Sequence, residues 1–233
     1  PTDLGAPPKG GEITTNGVTT NSPAIGIQMF GDVKSSLFTP MAIDKDTCLG
    51  KASGYCTLNA IQTDCDHSTF THGNLRVIAA NASTAGGSIA VESGKWYCEM
   101  VCTAKSATNA MIGVCTVDGF DGERQPDESQ QGGSGYTYVM NGNINPGGGS
   151  FGESWAVDDI MGIALDLDST QNTVTFYKNG VPQGAVNIDA GRYVFACGNG
   201  QSSSTVTYEV NFGQKPFKYA PPEGFQILNH ANA

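Results

Sequence analysis

The chain has 233 residues, of which 15% are charged, and its formal net charge is -10. This excess of carboxylates disfavours binding to nucleic acid or to an anionic membrane surface, because both need clustered lysine and arginine. No apolar run is long enough to predict a membrane span. The 31 glycines and 11 prolines favour a β-rich chain with many turns.

Residues 1–45 are rich in Gly, Pro, Thr, Asn and Ser and have only weak periodicity, which predicts an extended arm or linker. A short apolar stretch within it, AIGIQMF, could dock onto another surface. Because the initiator methionine is readily removed before a small residue such as Pro1, we expect the chain to be a complete product. Residues 46–233 are predicted to form one domain.

Seven cysteines lie at irregular spacings without a CxxC pair, which disfavours the common zinc and redox motifs. Cys98 and Cys102 are four residues apart on a predicted strand, about 13 Å along it, which is too far for a disulfide between them. We therefore predict buried, reduced thiols. The sequence DCDH at 64–67 lacks the second cluster that would complete four zinc ligands.

From Leu75 onward, apolar and polar residues alternate. In VTYEVNF (206–212) the residues Val206, Tyr208, Val210 and Phe212 share one parity, and KWYCEMVCT (95–103) and IMGIALDLD (160–168) alternate in the same way. This period of two predicts strands with one buried face. Further strands are predicted at 75–80, 87–92, 110–117, 135–140, 173–178, 183–188 and 192–198. No segment has a helical apolar stripe, so the fold class is all-β, a two-sheet antiparallel sandwich.

The dipeptide Asn179-Gly180 lies between two of these strands. Both residue types tolerate positive φ, which the two central residues of a tight hairpin turn require. The sequence therefore predicts a hairpin over 173–188, in a framework role.

Eight motifs in fixed order resemble the SPRY domain: SGKWYCEM (93–100), IGV (112–114), GYTYVMNGNI (135–144), FGESW (151–155), DIMGIALDLD (159–168), VTFYKNG (174–180), YVFACG (193–198) and a closing segment at 206–229. The resemblance implies a concanavalin-like jelly roll that binds mostly proteins through loops at one end and does not catalyse a reaction. The lead-in, YCTLNAIQTD (55–64) and FTHGNLRV (70–77), and the ending PFKYAPPEGFQILN (216–229) also resemble bacteriophage and bacterial proteins that contain such domains.

Candidate binding residues lie in and beside the loop that precedes the strand at 135–140. Glycines allow a partner to approach the backbone closely, and aromatic side chains supply contact area. The candidates are Asp118, Phe120, Asp121, Arg124, Tyr136 and Tyr138. The alternative is that these glycines form flexible surface turns and that one of the two tyrosines lies in the core. Carboxylates over 118–128 could bind calcium, but their spacing matches no EF-hand, so no metal or cofactor is predicted and the calcium question stays open.

Catalysis is not expected. Asp166 and Asp168 could act as paired carboxylates, but no nucleophile or base accompanies them, and the resemblance makes them framework residues. We therefore predict a non-enzymatic structural protein of a bacteriophage virion, made in the host cytoplasm, as a capsid decoration or a tail or fibre component. Residues 1–45 would attach it to other virion proteins in many copies or as a homo-oligomer, and the loops would bind a host-surface protein or glycan. The alternative is a soluble lectin-like module for carbohydrates or peptides.

Overall fold

The computed structural model describes residues 28–29, 31–32, 54–61, 67–106, 108–117, 135–230 and 232–233. The chain divides into two compact units, Pro1–Tyr55 and Cys56–Ala233. In the first unit the described residues form one antiparallel strand pair, β1 (Gln28–Met29) and β2 (Gly31–Asp32). The rest of the predicted arm lies outside the described residues, so its role and the predicted boundary at residue 45 stay predictions.

The second unit consists of strands joined by turns and loops, and its described residues include no helix. Within the described part of the chain, accordingly, no helix could span a membrane. The strands are β3 (Ser68–Thr71), β4 (Arg76–Ala80), β5 (Thr84–Gly86), β6 (Lys95–Lys105), β7 (Ala110–Thr116), β8 (Gly135–Val139), β9 (Asn143–Asn145), β10 (Gly149–Ser150), β11 (Ile160–Asp166), β12 (Thr173–Lys178), β13 (Val181–Asn187), β14 (Tyr193–Asn199) and β15 (Thr205–Asn211).

These strands form two antiparallel sheets. One sheet has six strands in the order β10-β9-β8-β7-β14-β5, and the other has seven in the order β13-β12-β11-β6-β15-β4-β3. β6, the longest strand, lies in the middle of the seven-stranded sheet between β11 and β15. The predicted two-sheet antiparallel sandwich is confirmed.

A single large hydrophobic cluster fills the space between the sheets and contains side chains from both. The alternating residues of β15 and its continuation, Val206, Tyr208, Val210 and Phe212, are all buried, as their shared parity predicts. Tyr208 also ties the two sheets together: its hydroxyl accepts a hydrogen bond from the Met111 N–H (2.8 Å) and lies 2.7 Å from the Gly198 carbonyl oxygen. This tie satisfies a polar group that would otherwise be costly to bury.

The predicted hairpin is confirmed as β12, a turn and β13. Asn179 and Gly180 both have positive φ, at 51° and 83°. The Asn179 side chain also fixes the turn to the neighbouring strand, because its Oδ1 accepts a hydrogen bond from the Ile160 N–H at 2.9 Å.

One predicted strand, 87–92, is wrong. The strand here is β5, which ends at Gly86, and beyond it only isolated bridges occur. The reason is a bulge: the Gly87 and Val91 N–H groups donate to the carbonyl oxygens of Phe195 and Tyr193 on β14, so four residues of this segment span only two of β14. The extra residues interrupt the ladder with β14.

All five cysteines within the described residues are buried, and they form no disulfide with one another. For these five, the predicted buried thiols are confirmed. Burial raises the pKa of the Cys56 thiol to about 11 and also raises the pKa of Cys98 and Cys197. Such thiols are poor nucleophiles, so they act as small apolar core residues.

Candidate functional site

Of the six candidate binding residues, the structure describes two. Asp118, Phe120, Asp121 and Arg124 lie outside the described residues, and their role stays a prediction. Tyr136 and Tyr138, both on β8, are 7% and 0% exposed and belong to the core between the sheets. Neither ring offers contact area to a partner in this fold.

Tyr136 supports the loop between β13 and β14. Its hydroxyl lies 3.1 Å from Oδ2 of Asp189 and donates to it. Tyr193 donates to the Asp189 carbonyl oxygen at 2.8 Å. The two tyrosines therefore hold this loop from inside the sandwich.

Tyr138 supports the loop between β10 and β11. Its ring lies 5.4 Å from both Phe151 and Phe176, and its hydroxyl donates to the carbonyl oxygen of Glu153. Burial, together with the nearby Glu153 charge, raises the pKa of Tyr138 to about 12. Tyr138 thus stays protonated and acts as a structural donor.

A different feature is on the outer face of the seven-stranded sheet. Residues 213–219 follow β15 and turn back over this face; we call them the strap. Glu99 of β6 is 4% exposed, and its carboxylate oxygens accept hydrogen bonds from the backbone N–H groups of Lys218 (2.8 Å) and Tyr219 (2.9 Å). Hydrogen bonds to a charged acceptor are among the stronger ones in proteins, so Glu99 anchors the strap.

Aromatic packing adds to this anchor. Tyr97, two residues before Glu99 on the same face, meets Phe217 of the strap edge to face, with ring centroids 5.0 Å apart at 87°. Gly162 on β11 makes room for Tyr97, because a Cβ at Gly162 would lie 2.3 Å from the Tyr97 hydroxyl oxygen. The strap is therefore seated by the glycine, the ring pair and the carboxylate together.

Beside the strap lies a depression of about 340 Å³, which we call the outer groove. Its floor includes Val101 of β6 and Ile160 of β11, which are directly opposite each other in the sheet register. Its strap side includes Lys215, Phe217 and Lys218. The groove is apolar at the bottom and charged at the rim.

Glu209 of β15 borders the groove on the side away from β11, next to Val101 in the register. It forms an ion pair with Arg76 of β4, with Nη1 and Oε2 3.4 Å apart. The side chains are 35% and 43% exposed, so solvent screens this pair.

Asp166 and Asp168 have structural partners. The Asp166 carboxylate pairs with Lys95, and Asp168 Oδ1 accepts a hydrogen bond from the Gly94 N–H at 2.7 Å. Both residues therefore fix the start of β6 against the end of β11. Among the described residues, no three His, Cys, Asp or Glu side chains come close enough together to hold a metal ion.

The outer groove is not predicted by the sequence motifs. The alternation in KWYCEMVCT (95–103) indicates only that Glu99 lies on the face opposite Cys98, and KPFKY (215–219) contributes only to the family resemblance. The available signal was that KPFKY alternates cations with rings directly after the last strand. That pattern favours a segment lying on a surface rather than in the core.

The described residues thus form two antiparallel sheets with a shared core, and an outer groove lies on one face. The sequence model of the SPRY domain matches residues 95–215, more than half of the chain. The chain belongs to the SPRY domain family. SPRY domains generally bind proteins, so this chain contains a protein–protein interaction module.

Individual relatives are distant. The chain is 36% identical over 87 residues to "E3 ubiquitin-protein ligase RKP" of Arabidopsis thaliana, a match that covers 35% of this chain and 6% of that protein. Among solved structures, it is similar to the SPRY domain of human HERC1 (TM-score 0.52, 16% identity, 68% of this chain and 99% of that one). It is also similar to the TRIM65 PSpry domain (TM-score 0.50, 13% identity, 66% and 88%). At these identities the structures support the fold alone.

Proposed function

We propose that the chain is a non-catalytic module that binds a partner protein, with the sandwich as a rigid frame. The observation that carries this proposal is membership of the SPRY family over residues 95–215. Two features of the frame support it. Buried tyrosines brace its loops from inside, and its paired aspartates are engaged in structural contacts rather than in an open acid–base site.

The test is a selection of random 12-residue displayed peptides on the immobilised full chain, run beside a glycan array. The expected result is that the folded chain enriches particular peptide sequences, whereas the same chain unfolded in urea enriches none. Enrichment of glycans alone would favour the lectin-like alternative. Failure to enrich any peptide would overturn the proposal.

The finer part of the proposal is the location. We place the module in a bacteriophage virion, as a capsid decoration or a tail or fibre component in many copies, attached through residues 1–45. Its support is confined to the sequence, namely the resemblance of residues 55–64, 70–77 and 216–229 to phage and bacterial proteins. Mass spectrometry of purified particles tests it, and deletion of residues 1–45 should abolish incorporation while the circular dichroism of the sandwich is unchanged.

A further inference from the structure

The outer groove differs in charge from the rest of the chain. Four ionisable side chains line it: Glu99, Glu209, Lys215 and Lys218. Two cations and two carboxylates give the lining a formal charge of zero, whereas the whole chain has a net charge of -10. The groove is therefore a less acidic place than the chain as a whole.

The two strap lysines are the cations that remain available. Arg76 is paired with Glu209, and the Glu99 carboxylate is buried beneath two backbone N–H groups. Lys215 and Lys218 are exposed, and no carboxylate among the described residues forms an ion pair with either of them. They can contact an acidic partner without breaking an existing pair.

The floor supplies the apolar part of the contact. Val101 and Ile160 are half-buried, and side chains directly opposite each other on antiparallel strands lie about 5 Å apart, so the two form one continuous patch. A volume of about 340 Å³ is at the lower end of the range for ligand pockets. It has room for a few side chains of a partner rather than for a folded domain.

From these features we infer that the outer groove binds an extended segment of a partner protein in which an aliphatic residue is flanked by Asp or Glu. The aliphatic side chain covers Val101 and Ile160, and the carboxylates lie beside Lys215 and Lys218. Charge complementarity selects this segment, since an acidic peptide is repelled by most of the chain and attracted here. The inference rests on the proposed protein-binding function and names its partner class.

The test uses the peptides enriched by the selection on the full chain. The enriched sequences should contain an aliphatic residue next to at least two acidic ones. Fluorescence polarisation then gives the Kd of a labelled enriched peptide for the wild type, for Lys218→Glu and for Val101→Thr. Each substitution should raise Kd at least tenfold, and the effect of Lys218→Glu should shrink at high salt because exposed charges are screened.

Matched variants separate a groove effect from a general one. Lys105→Glu makes the same charge change at an exposed lysine outside the groove lining, at the end of β6. Ile78→Thr makes a similar apolar-to-hydroxyl change on the same sheet face, also outside the groove lining. Both should change Kd less than twofold. If enriched peptides bind Lys218→Glu and Val101→Thr as tightly as the wild type, the groove assignment is wrong while protein binding stands. If no peptide is enriched, the proposed function itself fails.

Discussion

The anchoring of the strap by Glu99 leads to a measurable prediction. Glu99→Gln keeps the size of the side chain but removes its charge and turns one of its two acceptors into a donor. One strap N–H then faces an amide N–H, and the other keeps only a neutral hydrogen bond. Hydrogen bonds to charged groups contribute about 1.5–3 kcal/mol each, and neutral ones contribute about 1 kcal/mol. Water can reach the exposed strap and replace part of what is lost. We therefore expect the free energy of unfolding to fall by about 2 kcal/mol.

The assay is urea unfolding followed by tryptophan fluorescence. Both tryptophans, Trp96 and Trp155, are 3% exposed in the core, so their emission reports the loss of the sandwich. Glu209→Gln is the matched control, since it makes the same substitution on the neighbouring strand. Its pair with Arg76 is exposed at the surface, and its loss should cost less than about 1 kcal/mol.

A local measurement checks the same reasoning. Trypsin cleaves after Lys218, whose backbone N–H is held by Glu99, so release of the strap should accelerate this cut in Glu99→Gln relative to Glu209→Gln. Equal stability and equal cleavage in the two variants would refute the argument that a buried carboxylate anchors the strap.

Three further predictions follow. Gly162→Ala should lower the free energy of unfolding by about 1–3 kcal/mol, because the new methyl group overlaps the Tyr97 hydroxyl. At Gly149 a Cβ meets nothing within 4 Å, so Gly149→Ala should change it by less than about 0.5 kcal/mol. Equal effects of the two substitutions would contradict the packing described. At pH 8, no more than two of the seven thiols of the folded chain should react quickly with Ellman's reagent, because the five described thiols are buried. In guanidinium all seven should react. A third fast thiol in the folded chain would contradict the burial described. Burial alone would raise the pKa of Asp166, but hydrogen bonds, with that from Lys95 the strongest, lower the pKa below its ordinary value of 3.8. The contribution of the Asp166 carboxylate to the free energy of unfolding is therefore present above pH 3.8 and is lost as the pH falls below it. Asp166→Asn should cost about 1 kcal/mol at pH 7, and urea midpoints should show the gap closing towards pH 3; a constant gap would exclude an ionic origin.

Strand periodicity predicted much of the sandwich because strands such as β4 and β12 bury only one face in the core between the sheets. The alternation in VTYEVNF, for example, places Tyr208 and Val210 in the core without any knowledge of the partner sheet. The Asn179-Gly180 turn was equally predictable, because the requirement for positive φ is local.

The outer groove was not predictable in the same way. Glu99 follows the polar parity of β6, so the pattern predicts an exposed carboxylate, yet it is 4% exposed. What buries it is a strap more than a hundred residues later in the chain, and that contact depends on the complete sheet. Tyr136 and Tyr138 illustrate the opposite case, since aromatic residues beside a glycine-rich loop suggest contact area, but both face the core.

Glu99 holds the strap through two main-chain amide groups, which every residue except proline possesses. The side chains of Lys215 and Lys218 take no part in this anchor. Point substitutions of these lysines therefore change the charge of the groove and leave the two anchoring hydrogen bonds in place. Substitutions at these two positions can therefore change which segment the groove binds, while the Glu99 carboxylate keeps the strap in position.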